Sequence, residues 1–206
     1  MPRSRFDARA ISDPKQVRTL ASPVRHELVD TLAALGGTAS VAQLAEQSGR
    51  PADGLYYHLA VLVKARLVEK VEDEERGEQI YRLAGTGKAP LRLAYRAGTQ
   101  ADLSALSQYA RGLVKVAQRD FERGLQTPGV ALHGQRRQLW AARNKGWVSA
   151  TELEEVNRLL EKLCELTSKP RRRGRDSLLT LAFVLAPSTR HAKRRRSDRS
   201  GSGDSS

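Results

Sequence analysis

The sequence predicts a mainly helical protein with one small β-hairpin in its N-terminal half and a helical, α+β region after it. Three observations carry that class. Apolar residues recur at helical spacing in separate short segments before residue 66, two alternating segments follow at once, and longer helical periods begin beyond Pro90.

Residues 1–12 carry no apolar period and are expected to be a flexible N-terminus. Asp13-Pro14 offers an N-cap followed by proline at the first helical position, so a short helix to about Leu20 is expected. Ser22-Pro23 repeats the signal. Val24, Leu28, Leu32 and Leu35 then line one face until Gly36-Gly37 stops the helix. Ser40 caps the next, in which Val41, Leu44 and Ala45 face inward before Ser48-Gly49 turns the chain. From about Pro51 to Ala65, Leu55, Leu59, Leu62 and Val63 make another stripe, and two short helices about a turn apart are the plan of a helix-turn-helix. Leu67–Val71 and Gln79–Leu83 alternate on either side of the charged, glycine-ended Asp73–Gly77, which reads as a hairpin. This order predicts a winged helix-turn-helix over residues 13–90, with the hairpin tip as the wing.

Residues 91–186 are expected to form a helical dimerisation or sensing region. Leu103, Leu106, Ala110, Leu113, Ala117 and Phe121 follow steps of three and four along a long helix, a period that suits packing against another helix or a symmetry mate. Thr127-Pro-Gly129 ends that helix. Ser149-Ala-Thr-Glu152 is a capping box that opens an amphipathic helix with Leu153, Val156, Leu160 and Leu163 on one side. The short apolar run Leu178–Leu185 reads as a buried strand, and Trp140 and Trp147 are expected to anchor the small core of this region, or to line a pocket for a small-molecule effector. Residues 187–206 read as a disordered basic tail.

The net charge is +13, from 36 Lys and Arg against 23 Asp and Glu, which favours a polyanionic partner. The excess is uneven: 13 basic and 12 acidic residues precede the end of Pro90, and 23 and 11 follow it. Lys169–Arg175 and Arg190–Arg196 supply much of it as exposed basic segments, which bind polyanions without reading them. The single cysteine, Cys164, excludes an intramolecular disulfide and fits a reducing compartment. With no signal-like N-terminus and no apolar run of membrane-spanning length, a cytoplasmic protein without membrane association is expected.

Leu55-Tyr-Tyr-His-Leu59-Ala-Val-Leu62-Val-Lys-Ala65-Arg-Leu67-Val68-Glu69, with Tyr81-Arg-Leu83 closing the hairpin, resembles the recognition helix and wing of ArsR-like winged-helix regulators. Leu20-Ala-Ser-Pro-Val-Arg25-His-Glu-Leu28 similarly resembles the beginning of their second helix, so the likeness covers roughly residues 13–84. It implies a transcriptional regulator that binds specific double-stranded DNA as a homodimer. Arg66 departs from the glycine that usually closes the family's recognition helix, so a different turn is expected there. Clustered cysteines or histidine-carboxylate sets, which metal-sensing members use, are missing from the sequence, which therefore resembles a non-metal branch with no cofactor implied.

A helix lying in the major groove presents its first turns to base edges, so the candidate DNA-binding residues are Ala52, Asp53, Tyr56 and Tyr57, with Lys64 further along. A tyrosine ring suits thymine methyls and its hydroxyl suits phosphate, although either ring could instead pack against the wing. His58 matches the family's usual histidine, and next to Leu59 it could equally be structural. Arg50 at the turn and Arg76 at the wing tip are placed for phosphate or minor-groove contact, against the competing charge of Asp73, Glu74, Glu75 and Glu78. Gly85-Thr-Gly-Lys88 fails the phosphate-loop spacing at Arg82 and Ala89, the four histidines are scattered, and Cys164 sits beside an apolar seam. No catalytic constellation results, and an enzyme is not expected. The rival reading is a non-specific nucleic-acid or protein-interaction module that uses the winged helix as a scaffold.

Overall fold

A computed structural model describes residues 10–73, 77–85, 92–93, 98–169, 171 and 173–188. Among these residues the first helices are α1 (Pro14–Leu20), α2 (Pro23–Ala34), α3 (Val41–Ser48) and α4 (Asp53–Lys64). Their boundaries follow from the capping chemistry. Lys15 N–H donates to the Asp13 carboxylate, proline opens both α1 and α2, and Gly36 and Gly37 end the α2 segment at φ of 92° and 95°. Ser40 and Gln43 exchange hydrogen bonds in a capping box at α3, which Gly49 closes in the left-handed region.

Strands β3 (Val68–Asp73) and β4 (Glu78–Leu83) pair antiparallel as the expected hairpin. A third strand, β2 (Thr38–Ser40), adds to the far edge of β4 and gives the order β2-β4-β3. Two residues at the N-terminal end, β1 (Ala10–Ile11), pair in parallel with β5 (Arg92–Leu93). Ile11, assigned by sequence to a flexible terminus, is thus buried in the core; a single apolar residue among polar neighbours makes no period to detect.

The core joins helices to sheet. Leu28, Leu32, Leu44, Leu55, Leu59, Leu62 and Leu83 are wholly buried, which takes the apolar stripe of α4 down into the domain and leaves its opposite face outside. The long helix α5 (Gln100–Gln126) lies against α1 and α2, and its residue Ala105 joins the same core. At Gly112 an added Cβ would stand 2.3 Å from the Ala21 carbonyl oxygen, so only glycine permits this approach of α5 to the turn between α1 and α2. Next to it, the buried His26 of α2 stacks obliquely on Tyr109 of α5 and shares a 3.2 Å hydrogen bond between Nε2 and the phenol.

The inward stripe of α5 is Ala105, Tyr109, Gly112 and Val116, one step off the phase expected from sequence. Of the expected stripe only Leu103 is exposed; Leu106, Ala110, Leu113, Ala117 and Phe121 are half-buried, with Leu106 against the core, while Val114 and Leu125, outside that stripe, are exposed. The last helix, α6 (Ala150–Thr167), begins at the Ser149–Glu152 capping box and buries none of its residues.

Two expectations for the C-terminal region are corrected. Residues 178–185 form no strand, and Leu178, Leu179, Leu181, Phe183, Val184 and Leu185 are exposed. Trp140 and Trp147 are exposed too, at 68% and 90%, and anchor no core. The physical reason is common to both: an apolar run is buried only where an opposing surface exists, and this region offers none within the described chain.

Candidate nucleic-acid interface

The exposed face of α4 gathers four of the eight sequence-predicted positions. Asp53 opens the helix, Tyr56 and Tyr57 stand 49% and 69% exposed one turn on, and Lys64 ends the same face. The spacing explains this: Leu55, Leu59 and Leu62 are drawn into the core, so positions 53, 56, 57, 60 and 64 are turned away from it. Two large aromatic surfaces on one exposed helix face, with a cation at its far end, can meet base methyls, sugar and phosphate. Ala52, expected on this face, is half-buried and packs against the core. Arg76 lies outside the described residues.

His58 sits between the face and the core. Its ring meets that of Tyr57 edge-on at 5.3 Å, and its buried Nδ1 has no hydrogen-bond partner among the described residues. Burial, reinforced by the cations of Arg25 and Arg50, lowers its pKa below the ordinary histidine value and favours the neutral ring.

Arg50 is held by Glu27. The Glu27 carboxylate, 11% exposed, accepts from Arg50 Nε at 2.9 Å and pairs with Arg119 Nη2 at 2.7 Å and Arg123 Nη1 at 3.3 Å. Arg123 also donates to the Ser48 carbonyl at the end of α3. One carboxylate on α2 thereby ties the helix-turn-helix turn to the last turns of α5. Glu27, Arg119 and Arg123 escaped the sequence reading. Their signal was the phase of α5: extending Ala105, Tyr109, Gly112 and Val116 by steps of three and four leads to Arg119 and Arg123.

The turn after α4 keeps its shape without glycine. Arg66 takes φ of 56°, the only described non-glycine residue in the left-handed region, and Leu67 N–H reaches back to the Leu62 carbonyl. The different turn expected from Arg66 is not found; arginine accepts the strain that glycine would avoid.

Residues 20–71 match a helix-turn-helix domain family. This segment is a helix-turn-helix domain. It spans α2, α3, α4 and the start of β3; α3 and α4 are the helix-turn-helix pair, and the hairpin follows α4 in the order of a winged helix. No curated protein matches the chain. Among solved structures, a mutant of ZitR from Lactococcus lactis is similar at 13% identity over 68% of this chain and 73% of that one, with a TM-score of 0.26. Among the described residues no group of side chains could hold a metal ion, and no helix is long and apolar enough to cross a membrane.

Proposed function

We propose that this chain is a transcriptional regulator of the ArsR-like winged type that binds specific double-stranded DNA as a homodimer. The observation that carries the reading is the division of α4 into a wholly buried leucine face and an exposed face bearing Asp53, Tyr56, Tyr57 and Lys64. In a helix-turn-helix domain that second helix enters the major groove, where aromatic and polar groups meet base edges. The outward apolar positions of α5 would hold the two-fold, setting two reading helices about 34 Å apart on successive major grooves.

A second reading has its own support. The described wing residues Glu69, Glu72, Asp73 and Glu78 are acidic, and Arg50 is already paired, so phosphate attraction near α4 is weaker than in a strongly basic winged helix. That pattern suits a scaffold for other contacts, with basic segments supplying non-specific affinity. Selection of bound duplexes from a random pool decides between the two. Enrichment of one pseudo-palindrome is the expected result, whereas retention of the pool unchanged would exclude a sequence-reading regulator.

A further inference from the structure

The described chain beyond α5 carries apolar surface on a scale that a folded protein seldom leaves open. On α6, Leu153, Leu159, Leu163 and Leu166 are 41 to 52% exposed, and Val156 and Leu160 lie between them on the same side. Leu178, Phe183, Val184 and Leu185 are likewise exposed in the chain after the helix, and Trp140 and Trp147 in the chain before it. These side chains together present on the order of 1,000 Å² of apolar area, comparable with the about 800 Å² that each partner contributes to a stable interface. An 18-residue helix without alanine-rich composition draws most of its stability from a packed apolar face, so the helix itself argues for a cover.

Charge narrows what the cover can be. The polar side of α6 holds Glu154, Glu155, Glu161 and Glu165 against Arg158 and Lys162, so the helix itself is net acidic and gives a nucleic acid or an anionic membrane no attraction. The complementary cations are in this same chain, on either side of the helix: Arg136, Arg143 and Lys145 before it, with Arg137 stacked on Trp140, and Lys169, Arg171, Arg173 and Arg175 after it. A second copy brings both the acidic helix and the basic flanks, and an isologous contact satisfies each from the other. The segments flanking α6, residues 127–149 and 168–188, hold no regular structure in their described parts, which gives the helix the reach to cross between copies.

We infer that α6 and the apolar segment 178–185 are a dimerisation arm whose face is covered by a second copy of this chain. The inference rests on the homodimer proposed above and adds to it a contact separate from α5.

The two tryptophans of the chain are native reporters, because both lie in this region. The test follows the full chain by sedimentation equilibrium and tryptophan emission over a dilution series, beside Leu163→Glu and Leu181→Glu. Neither substitution touches the domain core, and an unchanged thermal melt of that core checks it. If the helix variant nevertheless fails to fold, Leu181→Glu, outside any helix, carries the comparison. The expected result is a two-chain particle with blue-shifted emission that moves red on dilution, and a dimerisation constant weakened at least tenfold in each variant. A dimer with red emission, indifferent to both substitutions, overturns the arm while leaving the α5 dimer standing. A single-chain mass with blue emission overturns it in favour of fold-back within one chain. A single-chain mass with red emission at every concentration overturns the arm and the homodimer together.

Discussion

Tyr57 and Leu59 are two positions apart and answer to different forces. Tyr57→Ala removes exposed area from the outer face of α4, so the melt should hardly move while affinity for the selected duplex falls by about 1 to 3 kcal/mol. Leu59→Ala empties a wholly buried site and should cost about 2 to 5 kcal/mol of folding free energy, with DNA binding abolished only as the domain unfolds. A Tyr57→Ala protein that melts early or keeps full preference would show that α4 is docked the other way round. Arg66 offers a gain instead: a left-handed L-residue is strained by about 1 to 2 kcal/mol, and Arg66→Gly should recover a part of that as a higher melting temperature, less the added freedom of glycine in the unfolded chain. His26 contributes to the pH dependence of the α2–α5 contact, beside Asp30 at 3.6 Å, whose carboxyl is raised to about 7 and titrates in the opposite sense. Burial lowers the His26 pKa from 6.5 to about 4, so the folded form stays neutral while the unfolded chain takes up a proton first as pH falls. Stability from this group is therefore full above about pH 6.5 and drains away between there and about pH 4, by up to about 3 kcal/mol. Acid titrations of wild type and His26→Gln should diverge in that window, and parallel curves would remove His26 as the cause.

At the scale of elements, Gly112 sets how closely α5 can lie on the turn at Ala21. Gly112→Ala gains about 1 kcal/mol of helix propensity but drives a methyl into a backbone carbonyl, which no side-chain rotation relieves. A net loss of stability is expected, seen as a lower denaturant midpoint; a stabilised variant would mean that α5 docks elsewhere. Such close approaches also mark where the sequence could be read and where it could not. The helices of residues 13–65 and the hairpin were legible because caps, proline and glycine punctuation and apolar period agree at each of them. The face of α4 was legible for the same reason, since its buried stripe fixes its exposed one. The phase of α5 was not, because its two faces both carry apolar residues, and the inward one is distinguished by a glycine whose role exists only in the packed structure. Strand β2 is three residues long and pairs with a segment about forty positions away, beyond any local signal. Segment 178–185 misled because apolar composition announces a need for burial without saying which surface answers it.

For the whole molecule, the charge imbalance leads to a prediction that separates affinity from specificity. Residues 191–206 hold five Lys and Arg against two Asp, and deleting them should weaken binding to every duplex alike. The logarithmic salt slope should flatten by about 0.9 for each phosphate that the tail no longer neutralises, with the preferred sequence unchanged and the melt unmoved. A truncated protein that selects a different duplex from the random pool would place part of the reading in the tail.

The carboxylate of Glu27 has more partners than it needs. Removing one member of a buried ion pair strands the other at about 3 to 5 kcal/mol, and that penalty would ordinarily keep an arginine such as Arg50 out of reach of DNA. Here the departure would be cheap, because Arg119 and Arg123 would stay on the carboxylate if Arg50 turned to a phosphate. On the proposed reading the turn of the helix-turn-helix would keep its cation parked rather than locked, with its berth guarded by the same helix that would join one copy to the next.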